Sequence, residues 1–347
     1  MSEFTLIDCS QVNSSPRGMA LYSLDIANAV RDRADLLFVF RYSQSNINLF
    51  HKLNTKGKVI FVPLPQTFIE QFVVPLLILV YNVKIYVTAG DSVSLIGCRL
   101  TRTYLLLHDI YFRKKIELNT YSMKRRLGRI YRSFTVGNSI SRCDKIITVS
   151  NFTKKQILHQ FQSLNENKVH ILPNQLRYEI TKVDKKSKNL LMVTGSDPQK
   201  NAKWAIEAVL TSIIDFDKLF VIGVASHYDL GLASDPKVEY VGFLEQTELE
   251  KYYENCRVLL LPSLDESFGV PVIEAFSKNC QVCASRSGAI PEVGSNFAHY
   301  FELNDSSSFY DALHTAMSAT HKWRKLVSHL KQFCGDELIS KIRYTLS

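Results

Sequence analysis

The segment 261–274, LPSLDESFGVPVIE, carries two carboxylates, Glu266 and Glu274, with seven residues between them. An apolar strand pattern ends at Leu261 and a short polar turn follows. Pro271 then stands where the first turn of a helix belongs, a position that suits its fixed φ and missing N–H. The N–H groups around Phe268, Gly269 and Val270 are then helix-start donors at the carboxyl end of a strand, and the helix dipole adds positive potential. An anion belongs there, and a diphosphate is the natural guest. Gly269 lets the backbone approach it closely. Carboxylates accept hydrogen bonds from hydroxyls, so Glu266 on the loop and Glu274 one turn into the helix suit a diphosphate with polyol groups on both sides, as in a nucleotide sugar. A solvated loop glutamate beside a helix-start glutamate would show the same spacing, and spacing alone leaves the two readings level.

Such a site needs strands to carry it. Short β-branched runs alternate with segments of helical period, the pattern of βαβ units and parallel sheets. Strands are expected near 5–9, 36–40, 59–62, 84–88, 104–107, 145–149 and 169–172, with helices over 19–31, 68–81, 123–141 and 152–161. A polar, Lys-rich stretch after Pro173 reads as a linker. A second series follows, with strands near 190–194, 219–224, 238–241, 258–261 and 281–284 and helices over 202–213, 246–255 and 271–277. The expected architecture is two α/β, Rossmann-like domains whose parallel sheets face across a cleft, a common place for a ligand. The boundaries are 1–176, a linker 177–188, a second domain 189–322, and C-terminal helices 323–347 that pack back on the first domain, with 336–346 as the crossover helix.

The stretch 241–294 resembles the signature region of the family 4 retaining glycosyltransferases, which have the GT-B architecture, and its E-x7-E motif falls on Glu266 and Glu274. The likeness runs in order along the chain: PRGMALYS resembles the early glycine loop, LLLHDIYF the strand-end histidine, TVSNFTKKQI and ILPN the end of the first domain, and VTGSDPQKN the first loop of the second. The resemblance implies that Glu266 binds the transferred sugar, Glu274 the ribose hydroxyls and Lys200 the donor diphosphate, with Gly195 and Ser196 in the same loop. It places His108 near the reacting centre, and Gly18 and Arg17 in the loop facing the donor phosphates. Alone, His108 reads more readily as an ordinary buried histidine. The chain departs from the family at Ser196 and Gln199, where some members carry arginines, which shifts phosphate neutralisation towards Lys200, backbone amides and Arg17. It also has Lys278-Asn279-Cys280 where a glycine-containing turn is usual.

The implied reaction moves a hexosyl group from a nucleoside diphosphate sugar to a glycan hydroxyl with retention, by positioning and by stabilising charge on the leaving phosphate. GDP-mannose, a UDP-hexose or N-acetylhexosamine, and dTDP-rhamnose all fit as donors. The implied acceptor is a lipid-linked or surface-polysaccharide intermediate, of the lipopolysaccharide or O-antigen kind. No metal or other cofactor is expected. A nucleotide-sugar epimerase or hydrolase on the same scaffold is the nearest alternative. A non-catalytic sugar-nucleotide-binding subunit is another, and intact Glu266, Lys200 and His108 speak against it. No G-x-G-x-x-G follows the first strand of either half, which disfavours a dinucleotide oxidoreductase.

The net charge of +9 points to an anionic partner. No recognition-helix or zinc-ligand pattern supports nucleic acid. Seven cysteines without framework spacing fit a reducing compartment, and Cys280 and Cys283 read as structural. No signal peptide is visible, so the cytoplasm, at the inner face of the membrane, is expected. The apolar stretch 72–83 contains Pro75, is too short to span a bilayer, and reads as a buried helix. Arg113, Lys114, Lys115, Lys124, Arg125, Arg126, Arg129 and Arg132 stand against one acid, Glu117. That run is either a solvated face or a contact for the acceptor and an anionic membrane.

Overall fold

A computed structural model describes residues 3–12, 19–88, 90–110 and 123–346. The chain divides into two compact units: residues 1–175 with 335–347, and residues 176–334.

The first unit holds seven parallel strands in the order β3-β2-β1-β4-β5-β6-β7. They are β1 (Phe4–Asp8), β2 (Leu36–Arg41), β3 (Lys58–Val62), β4 (Val83–Thr88), β5 (Arg102–Leu106), β6 (Lys145–Thr148) and β7 (Val169–Ile171). The central strands are buried on both faces, so they read as unbroken apolar runs such as Leu36-Leu37-Phe38-Val39-Phe40. Parallel neighbours need crossovers, and helices Met19–Val30, Val74–Val80, Met123–Ser139 and Asn151–Gln160 supply them. Gln44–Leu53, unanticipated from the sequence because its apolar residues are few, is a further helix, started by Ser43 Oγ accepting from the Asn46 N–H.

The last helix, Gly335–Leu346, belongs to the first unit and packs on Met19–Val30. Arg343 Nε donates to the Ala29 carbonyl at 2.8 Å, and Lys145 Nζ to the Thr345 carbonyl at 2.8 Å.

The second unit has six parallel strands in the order β10-β9-β8-β11-β12-β13. These are β8 (Leu190–Val193), β9 (Leu219–Ile222), β10 (Val238–Gly242), β11 (Val258–Leu261), β12 (Gln281–Ser285) and β13 (His299–Phe301). Leu190, Met192, Val221 and Leu260 build its core with Ala205, Val209, Phe309 and Leu313 from the helices. The stretch expected as a free linker lies against this unit instead. Tyr178 donates to the Gln246 carbonyl, and Lys186 Nζ to the carbonyls of Tyr253 and Glu254, so its polar side chains close helix ends.

The helix over 72–83 is not wholly buried. Val74–Val80 turns Leu77 and Ile78 to the core, whereas Phe72, Leu76, Leu79 and Val80 are exposed.

Candidate functional site

In both sheets the strand order reverses beside the first strand, and a doubly wound sheet opens a crevice at that point, outside the carboxyl ends. In the second unit the reversal lies between β8 and β11, and the loops leaving those two strands carry Lys200 and Glu266. After β8, Asp197 caps the short turn Pro198–Lys200, its Oδ1 accepting from the Gln199 N–H at 3.1 Å. Asn201 then turns left-handed, at φ 52°, to start helix Ala202–Thr211. After β11 the chain runs through Pro262–Gly269 into helix Val270–Ser277, which Gly269 opens at φ 99°, a backbone that favours glycine.

Lys200 Nζ meets Glu266 Oε2 at 2.9 Å, with both side chains still partly open to solvent. The loops are stitched together by the Leu264 N–H donating to the Gln199 carbonyl at 2.8 Å. Gln199 Nε2 also reaches the Asp265 carbonyl at 3.4 Å, so the residue that replaces a family arginine ties the loops. Among the described residues the N–H groups of Phe268, Gly269 and Val270 have no acceptor. A Cβ built on Gly195 meets nothing within 4 Å, which leaves open space before this loop. Ser196 lies between Gly195 and the Asp197 cap.

Glu274 is buried, and its Oε2 accepts from the Tyr253 hydroxyl at 2.9 Å. Burial pushes its carboxyl up to about 7, against the opposing pull of the Tyr253 hydrogen bond and the Arg177 charge. Phe268 is buried edge-on against Phe333, so it contributes packing and a backbone N–H.

Two residues in this neighbourhood escaped the sequence reading. Tyr253 comes from helix Gln246–Asn255, and nothing near it marks a ligand site. Gly288, at φ 60°, follows β12, and a Cβ there would fall 2.3 Å from the Glu266 carbonyl oxygen. The next residue, Ala289, donates its N–H to that same oxygen at 2.7 Å. Only φ and close approach reveal such a glycine; its sequence context, SRSGAIPE, shows just a turn.

At the Lys278-Asn279-Cys280 turn, Asn279 adopts φ 58° and serves where a glycine is usual, while buried Lys278 pairs with Glu250 at 2.5 Å. Cys280 and Cys283 are both buried. The sequence holds a D-x-D, Asp215-Phe216-Asp217. It precedes β9, at the strand end away from the site, and Asp215 is ion-paired with Lys188. Among the described residues no group of three or more His, Cys, Asp and Glu could hold a metal ion.

In the first unit His108 follows β5. Its N–H donates to Asp91 Oδ1 at 2.7 Å, its Nδ1 lies 3.3 Å from the same oxygen, and the Tyr22 ring meets it edge-on. That leaves Nε2 buried and without a partner among the described residues, an atom available to a ligand hydroxyl. The first unit also holds a buried carboxylate cluster that the sequence did not suggest. Glu70 accepts from Ser92 Oγ at 2.5 Å, Tyr131 at 2.9 Å and Gln71 at 2.8 Å, and it lines a polar recess with Asp8, Ser10 and Gln11. Burial drives the Glu70 carboxyl up to about 7, the Asp8 charge adding to it while the three hydrogen bonds oppose. Arg17, Gly18, Arg113 and Lys114, and the side chains of Lys124 and Arg125, lie outside the described residues. Arg126 and Arg129 lie on helix Met123–Ser139.

Residues 187–319, which span the Lys200 and Glu266 loops, match the family model of the glycosyl transferases group 1. With the curated relatives, that match supports a glycosyltransferase. This glycosyltransferase is 24% identical over 323 residues to the O-antigen chain mannosyltransferase RfbU of Salmonella typhimurium, covering 89% of each chain. It is 21% identical to the O-antigen chain mannosyltransferase B of Escherichia coli, covering 69% of this chain and 68% of that one. Among solved structures, Anabaena HepE in complex with UDP and glucose superposes with a TM-score of 0.72 at 15% identity, over 100% of the glycosyltransferase and 99% of HepE. The shared fold is GT-B, with two Rossmann-like domains.

Proposed function

We propose that this glycosyltransferase moves a mannosyl group from a nucleoside diphosphate mannose to a hydroxyl of a lipid-linked surface-polysaccharide intermediate, with retention at the anomeric carbon. The observation that carries the donor reading is the Lys200–Glu266 pair at the mouth of the second sheet's crevice, beside unbonded helix-start N–H groups. A diphosphate offers Lys200 more negative charge than Glu266 does, so the pair opens as the ligand enters and frees the Glu266 carboxylate for a sugar hydroxyl. Glu274 takes the ribose hydroxyls, and His108 Nε2 a hydroxyl near the reacting carbon.

In the reaction the bond from the anomeric carbon to the β-phosphate oxygen breaks. The acceptor oxygen forms its bond on the same face, and its proton passes to the leaving diphosphate. The protein's part is positioning and charge stabilisation at that diphosphate. The mannosyl assignment is supported by the two O-antigen mannosyltransferase relatives, and a UDP-bound structural neighbour keeps a uridine donor as the second reading.

The deciding experiment incubates the enzyme separately with GDP-mannose, UDP-glucose and dTDP-rhamnose and an acceptor extract, and follows the first-formed product by NMR. Turnover of GDP-mannose with the donor's anomeric configuration in the product is expected. An inverted product contradicts retention, and turnover only with a uridine or thymidine donor replaces the mannosyl reading.

A further inference from the structure

Asp91 lies beyond the carboxyl end of β4, and its side chain is 0% exposed, so it cannot touch a ligand itself. Its Oδ1 serves two groups of one residue. It accepts the backbone N–H of His108 at 2.7 Å and lies 3.3 Å from that histidine's ring Nδ1. An ionised carboxylate has no hydrogen to give, so the hydrogen between them belongs to Nδ1. In a neutral imidazole the other nitrogen then carries a bare lone pair, and Nε2 is the atom left buried without a partner among the described residues.

The ring and the carboxylate are both held in place. The Tyr22 ring packs edge-on against His108 with centroids 4.7 Å apart, and the Tyr22 hydroxyl is itself tied to the Leu172 carbonyl at 2.8 Å. Turning the imidazole by half a rotation would set a carbon against Asp91 and break the bond to Nδ1. On the other side, Arg132 stands 3.9 Å from Asp91 Oδ2. The next residue along the chain, Ser92, donates to Glu70 at 2.5 Å, and Tyr131, beside Arg132, donates to the same carboxyl group at 2.9 Å. Two consecutive residues after β4 therefore interlock with two consecutive residues of helix Met123–Ser139. Such support is what fixes the direction of a polar atom that faces a substrate.

We propose that Asp91 is a positioning residue for the transfer reaction. By keeping the hydrogen on Nδ1 it makes His108 Nε2 an acceptor, so the histidine takes a sugar hydroxyl and discriminates against an oxygen of the donor diphosphate, which has no hydrogen to offer. The proposal rests on the reading that His108 meets a hydroxyl near the reacting carbon, and it extends that reading to a residue out of reach of any ligand.

The test joins kinetics to nitrogen NMR of the labelled, full-length enzyme. Spectra are taken in mildly alkaline solution, where an ordinary imidazole is neutral. The protein has nine histidines, and the signals of His108 are those that vanish in His108→Ala. The native ring is expected to show a protonated Nδ1 and a bare Nε2. Asp91→Ala should show a mixture of tautomers and a kcat about tenfold lower, with nucleoside diphosphate affinity unchanged. In Asp91→Asn the N–H of His108 selects the amide oxygen over the amide NH2, so the native tautomer and turnover within about threefold should return. Asp91→Ala should cost nothing further once His108→Ala is present, because the aspartate acts only through the ring.

A hydrogen on Nε2 in the native protein overturns the proposal, and this arm needs no change at Asp91. So does a penalty for Asp91→Ala that is equal with and without His108, the pattern of a segment that has merely lost its shape. A His108→Ala enzyme that turns over like the native one removes the histidine from the reaction, and the reading beneath the proposal falls with it. A slow His108→Ala enzyme combined with a native hydrogen on Nε2 sinks the role of Asp91 alone.

Discussion

The α-carbon of Gly288 is pressed against the backbone of Glu266, so that a Cβ at 288 would lie 2.3 Å from the Glu266 carbonyl oxygen and 2.5 Å from its nitrogen. The glutamate is therefore placed by a residue on another strand's loop as much as by its own.

Gly288→Ala should displace the Glu266 loop, since both the steric overlap and φ 60° oppose a side chain. A lower melting temperature and a loss of turnover are expected. Gly195→Ala meets open space and should leave the melting temperature unchanged while weakening nucleoside diphosphate affinity. Equal thermal shifts for the two variants would contradict this contrast.

Tyr253→Phe removes a hydrogen bond that favours the Glu274 carboxylate, so the Glu274 carboxyl climbs further from its ordinary range. Calorimetry should show nucleoside diphosphate affinity about five- to tenfold weaker near neutral pH and recovering as the pH is raised. A loss independent of pH would mean that Tyr253 acts only through packing.

Glu266→Gln should keep the fold and lower turnover by roughly two to three orders of magnitude, the scale of losing one polar contact to the transition state. Turnover within about threefold of the native enzyme would remove Glu266 from the chemistry.

Lys200→Ala should weaken binding of the nucleoside diphosphate far more than that of the nucleoside, because the ammonium is assigned to the diphosphate. Titration of both ligands checks it, and equal losses would contradict that placement.

The spacing of Glu266, Gly269, Pro271 and Glu274 made one wall of the site legible, because loop, cap and helix start are contiguous in sequence. Tyr253 and Gly288 were not legible: each enters from another segment, and only the sheet order β8-β11-β12 brings them near. The strands were readable from their β-branched runs, except β13, whose three residues His299-Tyr300-Phe301 are too short to show a period. The stripe Met123, Leu127, Ile130 and Phe134 shows a different limit. Periodicity identifies the helix but not which side of it meets the core, and in this helix the smaller, more polar face is the buried one.

Glu70 offers a pH test of the first unit. Its folded carboxyl near 7 keeps a proton that the unfolded chain releases around 4.5. Between those values the folded state binds more protons. The stabilisation is thus complete below about 4.5 and is lost as the pH rises through about 7, with Glu274 acting in the same sense. Glu70→Gln keeps an acceptor for Tyr131 and removes the ionisation. Its melting temperature should therefore vary less than that of the native protein between about pH 5 and 8. Superimposable pH profiles would refute the assignment.

The first unit is completed by a segment that follows the second in sequence: the chain leaves it at Gln175 and returns at Gly335, and Arg343 bonds to Ala29 across 314 positions. During synthesis the second unit emerges as one continuous stretch and can close its sheet while the first still lacks its terminal helix. The second unit is therefore built from one continuous span, whereas the first closes only when Gly335–Leu346 reaches Met19–Val30.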